Sequence, residues 1–224
     1  MDARIKCPFV MEVLGPSMSG KSHFVGELLS KQEWFLENPA VKIYWYSPHG
    51  HLPYQISSNK NVTSLLGLPW AAAAEAAEDN NEEAMADESG HQIIVLDDFA
   101  DLTENSKELT AIYTQHSHHK NFSIIRMSQN LFWAGKGSRT RSLNVHYLVL
   151  MRQCRDYKQI RQLARQMTQN EKQFNGFMAA YFHATGKVPY SHFLISVHPR
   201  DSQKLFLRSN LFGGNTTVYL LNAA

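Results

Sequence analysis

Cysteine is scarce in these 224 residues: Cys7 and Cys154 cannot build a disulfide framework, and nothing points to an oxidising compartment. Long apolar runs are missing as well. None approaches the roughly 20 residues that cross a bilayer, so no membrane partner is expected. The opening Met1-Asp2-Ala3-Arg4-Ile5-Lys6 lacks the apolar core of a secretory signal. Acids and bases are each nearly absent from one region. Lys120 to Arg208 holds 15 Lys and Arg against 3 acids, a surplus of +12, whereas Ala71 to Gly90 holds 7 acids and no Lys or Arg. Such separation marks either a polyanion-binding half or a solvated surface with a few anion contacts.

What is present is a regular alternation of elements. Phe9 to Leu14 is a short apolar run ending in a Gly-rich turn, and it reads as a buried strand. Lys21 to Lys31 follows with Phe24, Val25, Leu28 and Leu29 at helical spacing. Val41 to Tyr46 reads as a second strand, and Ser47 to Pro69, broken by Pro48, Pro53 and Pro69, as looser chain. Ile93 to Leu96 is continuously apolar, as a strand covered on both faces should be. Further helices are expected at Ser106 to His118, Arg155 to Met167 and Asn170 to Ala184. Strands are expected at Phe122 to Met127, Val145 to Met151, Ser191 to Val197 and Leu205 to Arg208. This order predicts one α/β domain over residues 1–224, its sheet mostly parallel and covered by helices on both faces. Residues 71–90 read as an acidic insertion, helical or mobile, and residues 185–224 as C-terminal strands.

The turn after the first strand carries the chemistry. Gly15-Pro16-Ser17-Met18-Ser19-Gly20-Lys21-Ser22 fits G-x-x-x-x-G-K-[ST] at every fixed position, between an apolar strand and a helix. Its glycines let backbone N–H groups turn inward around phosphate oxygens, and the positive end of the helix adds to the same anion. Lys21 is expected to reach the β- and γ-phosphates of ATP and Ser22 to ligate Mg²⁺, with His23 closing the binding segment. Ile93-Ile94-Val95-Leu96-Asp97-Asp98 supplies the acids: Asp97 for the magnesium shell and Asp98 to polarise the attacking water. Gln129, at the tip of the Phe122 to Met127 strand, is placed to orient that water or to sense the γ-phosphate. No N-K-x-D segment follows, so guanine specificity has no support. His116, His118 and His119 invite a zinc reading, but no further ligand stands at fitting spacing.

In this order Gly15–Ser22, Ile93–Asp98, Ser128-Gln129-Asn130-Leu131-Phe132, the segment from Gly135 to Asn144 and Arg155-Asp156 through Gln166 resemble one family. It is that of the virion genome-packaging ATPases of Polinton elements, adintoviruses and poxviruses, within the FtsK/HerA superfamily. The resemblance implies a RecA/FtsK-like P-loop fold, with Asp97, Asp98 and Gln129 completing a hydrolytic site. It further implies a homo-oligomeric ring, usually a hexamer, that moves double-stranded DNA into a capsid and meets capsid proteins. Action inside the host, in nucleus or cytoplasm, and association with virions follow from it. Two departures stand out: the second acid is Asp98 where many members carry Glu, and residues 71–90 match nothing in the family.

The basic half fits such a ring. At about 100° per residue, Arg155, Lys158, Arg161 and Arg165 fall on one side of their helix, opposite Ile160, Leu163, Ala164 and Met167. That stripe suits DNA phosphates, a neighbouring subunit's nucleotide, or plain solvent. Arg139 and Arg141 are the candidates for a cation supplied to the next subunit's phosphates. A ring ATPase that remodels DNA or protein without packaging, or a P-loop kinase, are the competing readings.

Overall fold

The computed structural model describes residues 2–68, 90–99, 109, 110, 113, 121–131, 138–186 and 188–221. The acidic insertion, the three clustered histidines and most of the helix expected over residues 106–118 lie outside them. Among the described residues nine strands form one sheet in the order β3-β2-β4-β5-β1-β6-β7-β8-β9. They are β1 (Val10–Leu14), β2 (Lys42–Ser47), β3 (Val62–Leu66), β4 (Gln92–Leu96), β5 (Phe122–Ser128), β6 (Tyr147–Met151), β7 (His192–Ser196), β8 (Leu207–Ser209) and β9 (Thr217–Tyr219). From β3 to β6 every pairing is parallel, and β7, β8 and β9 add antiparallel strands at one side.

Helices lie on both faces because the central strands are apolar on both. β1, β5 and β7 are buried along their whole length. Helix α1 (Lys21–Ser30) sets Phe24, Val25, Leu28 and Leu29 against Met11, Val13, Ile125, Met127, Val149 and Met151. The short α2 (Gln32–Phe35) follows it. On the opposite face α4 (Tyr157–Met167) and α5 (Glu171–Gly186) pack Ile160, Leu163, Phe177 and Tyr181 on Leu14, Leu150, Phe193 and Ile195. Beside them Leu109 and Tyr113 cover Ile94, Leu96 and Ile124. Helix α3 (Ser138–Leu143) leads into β6.

One strand departs from the expected pattern. β3 falls inside the stretch that reads as looser chain: it is a half-buried strand paired with β2 at the end of the strand order, and prolines on either side obscure it. β9 is a three-residue strand at the other end. Helix α4 also starts later than expected. Asp156 caps it by accepting from Lys158 N–H at 2.9 Å, which leaves Arg155 in the preceding turn. Both cysteines are free, Cys7 buried and Cys154 exposed.

Candidate nucleotide-binding site

The parallel strands bring the residues singled out above to one edge of the sheet. β5 runs between β4 and β1, so Gln129 leaves the sheet between the acid pair and the phosphate loop. The loop is tied to that neighbour by Gly15 N–H, which donates to Ser128 O at 3.1 Å. A Cβ on Gly15 would lie 2.6 Å from Met151 Cβ, so the close approach of loop and β6 requires glycine there. Gly20 has φ of 96° and begins α1 with no side-chain cap. The first N–H groups of α1 are thereby left for an anion.

Charge in the loop is arranged around that anion. Lys21 Nζ donates to Gly15 O at 2.9 Å and Pro16 O at 3.0 Å, folded back over its own loop. Burial lowers the Lys21 pKa, while the Asp98 and Asp97 carboxylates pull it back up. Ser22 Oγ lies 3.5 and 3.4 Å from the two carboxylate oxygens of Asp97, which sets hard oxygen donors side by side. Burial pushes the Asp97 carboxyl up to about 6, and the neighbouring Asp98 charge adds to the shift. Asp98 is exposed and takes a left-handed φ of 60°, a conformation that Asp tolerates better than most side chains. Ser17, Met18, Lys21, Ser22, Asp97 and Asp98 line a cavity of about 260 Å³ with His49 and His51 from the loop after β2. Gln129 itself is exposed.

The two arginines proposed for a neighbour's phosphates part company. Arg139 is exposed on α3 and lines a separate cavity of about 750 Å³ with Leu163, Gln166 and Met167 of α4. Arg141 is 0 % exposed, donates to Thr110 Oγ1 at 3.4 Å and lies in the field of buried Glu12. A side chain so enclosed within its own chain fits an interior counter-ion of Glu12 better than a cation lent to another subunit. Glu12 also meets Arg126 at 3.6 Å and accepts from Tyr113 Oη. The signal for this network was visible in the strands: a Glu amid FVMEVL and an Arg amid SIIRMS each need a buried partner.

The cationic stripe is partly committed. Arg155, Lys158 and Arg161 are exposed, but Arg165 Nη1 lies 2.6 Å from Glu171 Oε2 and its guanidinium 4.0 Å from the Phe174 ring centroid. Gln159, not singled out from the sequence, joins this helix to the site. Its Oε1 accepts from Leu131 N–H at 2.8 Å, two residues beyond Gln129, and its Nε2 donates to Asp156 at 3.1 Å. His23 stacks on Tyr190 with ring centroids 5.9 Å apart. No group of three or more His, Cys, Asp or Glu that could hold a metal occurs among the described residues.

A largely parallel sheet with this loop, an acid pair two strands away and a polar residue between them has the architecture of a P-loop NTPase. The sequence profile of the Poxvirus A32 protein family matches residues 2–179. The chain belongs to that family. No curated protein sequence matches it significantly. Among solved structures, B204, the DNA-packaging ATPase from Sulfolobus turreted icosahedral virus, superposes with a TM-score of 0.51 at 7% identity, covering 96% of this chain and 98% of that one. The genome packaging NTPase B204 from Sulfolobus turreted icosahedral virus 2 in complex with AMPPCP gives 0.50 at 9% identity, covering 100% of both chains. The cytoplasmic domain of the Thermomonospora curvata Type VII secretion ATPase EccC gives 0.51 at 14% identity, over 84% of this chain and 24% of that one. At such identities the superpositions establish the fold.

Proposed function

We propose that this chain is a genome-packaging motor that hydrolyses ATP to drive double-stranded DNA into a capsid, working as a ring of identical subunits. The observation that carries the reading is the convergence of phosphate loop, acid pair and Gln129 at one sheet edge, in a member of the A32 family. Lys21 holds the β- and γ-phosphates, and the backbone of Gly15, Pro16, Ser17, Met18, Ser19 and Gly20 with the start of α1 surrounds the anion. Ser22 and Asp97 fit a magnesium ion, which takes few protein oxygens and fills its remaining positions with water and phosphate. Held by Ser22 and Asp97, such an ion would supply charge neutralisation at the phosphates and would offset the buried Asp97 carboxylate. Asp98 accepts the proton of the attacking water and Gln129 orients that water. Arg139 supplies the cation to the next subunit's phosphates.

The exposed face of α4 with Arg155, Lys158 and Arg161 meets DNA phosphates. Gln159 fixes that helix to the loop after Gln129, so a change at the γ-phosphate position is passed mechanically towards the DNA. The ring meets capsid proteins inside the host, where virions assemble. The reading is tested by triplex displacement. The motor should strip a third-strand oligonucleotide from duplex DNA with ATP but not with a non-hydrolysable analogue. Failure to strip it with ATP present would leave an ATPase that does not translocate.

A further inference from the structure

We infer that Tyr190 is the platform on which the nucleobase of the bound nucleotide stacks, with His23 bracing its ring. This rests on the phosphate-loop reading and adds the end of the nucleotide that the loop does not touch. The strand order gives the direction. Asp97 and Asp98 follow β4, two strands from β1 on one side, and with Gln129 they define the γ-phosphate end. Tyr190 precedes β7, two strands from β1 on the other side. Because β7 is antiparallel to β6, with Met151 opposite His192, its start lies at the same sheet edge as the phosphate loop. A nucleotide whose terminal phosphate points to β4 therefore directs its base towards β7.

The side chains at that end suit a base. Tyr190 is 58% exposed, and its ring lies nearly parallel to His23, at 17° with centroids 5.9 Å apart. His23 immediately follows the last residue of the phosphate-loop motif, and its ring also meets that of Tyr54, 6.1 Å away and 76% exposed. Tyr190 is held in place at some cost. Its φ of 64° is unusual for a bulky residue, and its ring presses so close to Gly20 that a Cβ there would meet Tyr190 Cδ1 at 2.6 Å. An exposed aromatic ring fixed in a strained conformation against the phosphate loop has a flat apolar face to offer at the distance of a nucleoside.

Stacking tolerates every base, so ATP and GTP should respond alike while a ligand without a base should not. The test measures binding of Mg·ATP, Mg·GTP and inorganic tripolyphosphate to wild type, Tyr190→Ala and Tyr190→Phe by calorimetry. Tyr190→Ala should weaken both nucleotides roughly 5- to 150-fold and leave tripolyphosphate unchanged, with Tyr190→Phe close to wild type. Unchanged nucleotide affinity in Tyr190→Ala overturns the proposal. Equal weakening of tripolyphosphate also overturns it, since Tyr190 would then only support Gly20 and the loop. Wild type that binds none of the three overturns the phosphate-loop reading and this inference with it, whereas tight tripolyphosphate binding keeps the two separable.

Discussion

Asp97→Asn should make the nucleotide-free protein more stable while destroying its use of magnesium. The Asp97 carboxyl is raised from 3.8 to about 6 in the folded chain, first by burial and then by the Asp98 charge. The sign follows from linkage. Between those values the folded state holds a proton that the unfolded chain has released, so stability falls as pH rises from about 4 to 6 and stays lower above it. At about 1.36 kcal/mol per unit the shift corresponds to ~3 kcal/mol, and partial solvent access reduces it to about 1–2 kcal/mol. Asparagine keeps the shape and discards the charge. Thermal unfolding of wild type and Asp97→Asn, with chelator and without nucleotide, should show the variant melting a few degrees higher at pH 7.5. At pH 4 the two should nearly coincide. A variant less stable than wild type at pH 7.5, or a gap that ignores pH, would refute the claim that Asp97 is a strained carboxylate awaiting a cation.

Asp98→Asn should bind Mg·ATP with near-normal affinity yet release little phosphate, read by binding and turnover side by side; loss of metal-dependent binding would reverse the roles of the two acids. Arg139→Ala should fold normally and lose on the order of 10³-fold in turnover, recovering partly when mixed with Lys21→Ala subunits. Arg141→Ala should instead lose on the order of 3 kcal/mol of stability, because it strips a cation from buried Glu12, and denaturant melts separate the two outcomes. Reversing charge at Arg155, Lys158 and Arg161 should weaken DNA binding and flatten its dependence on log salt by about one unit per lost phosphate contact. An unchanged slope would take this face off the DNA path.

Much of this site was legible because its signals are local. The loop from Gly15 to Ser22 is contiguous, and continuous apolar runs such as Ile93 to Leu96 mark strands buried on both faces. β3 was not legible, since Val62 to Leu66 gains its strand character by pairing with β2 at the end of the strand order. Arg139 and Arg141 look alike in sequence; Glu12, some 130 positions earlier, separates them by making one interior position tolerable for a cation. Periodicity alone includes Arg155 in its helix because it ignores caps; the Asp156 cap starts the helix two residues later, at Tyr157. Tyr190 carries no sequence signal at all: its place beside Gly20 arises from β7 entering the sheet antiparallel.

The central claim is that the loop around Lys21 drives work on DNA. Phosphate release from Mg·ATP should be measured for wild type and Lys21→Ala, each with and without long double-stranded DNA. Hydrolysis by wild type should rise with DNA, and Lys21→Ala should stay near background in both conditions. Wild-type turnover indifferent to DNA, or near-normal turnover in Lys21→Ala, would contradict the account.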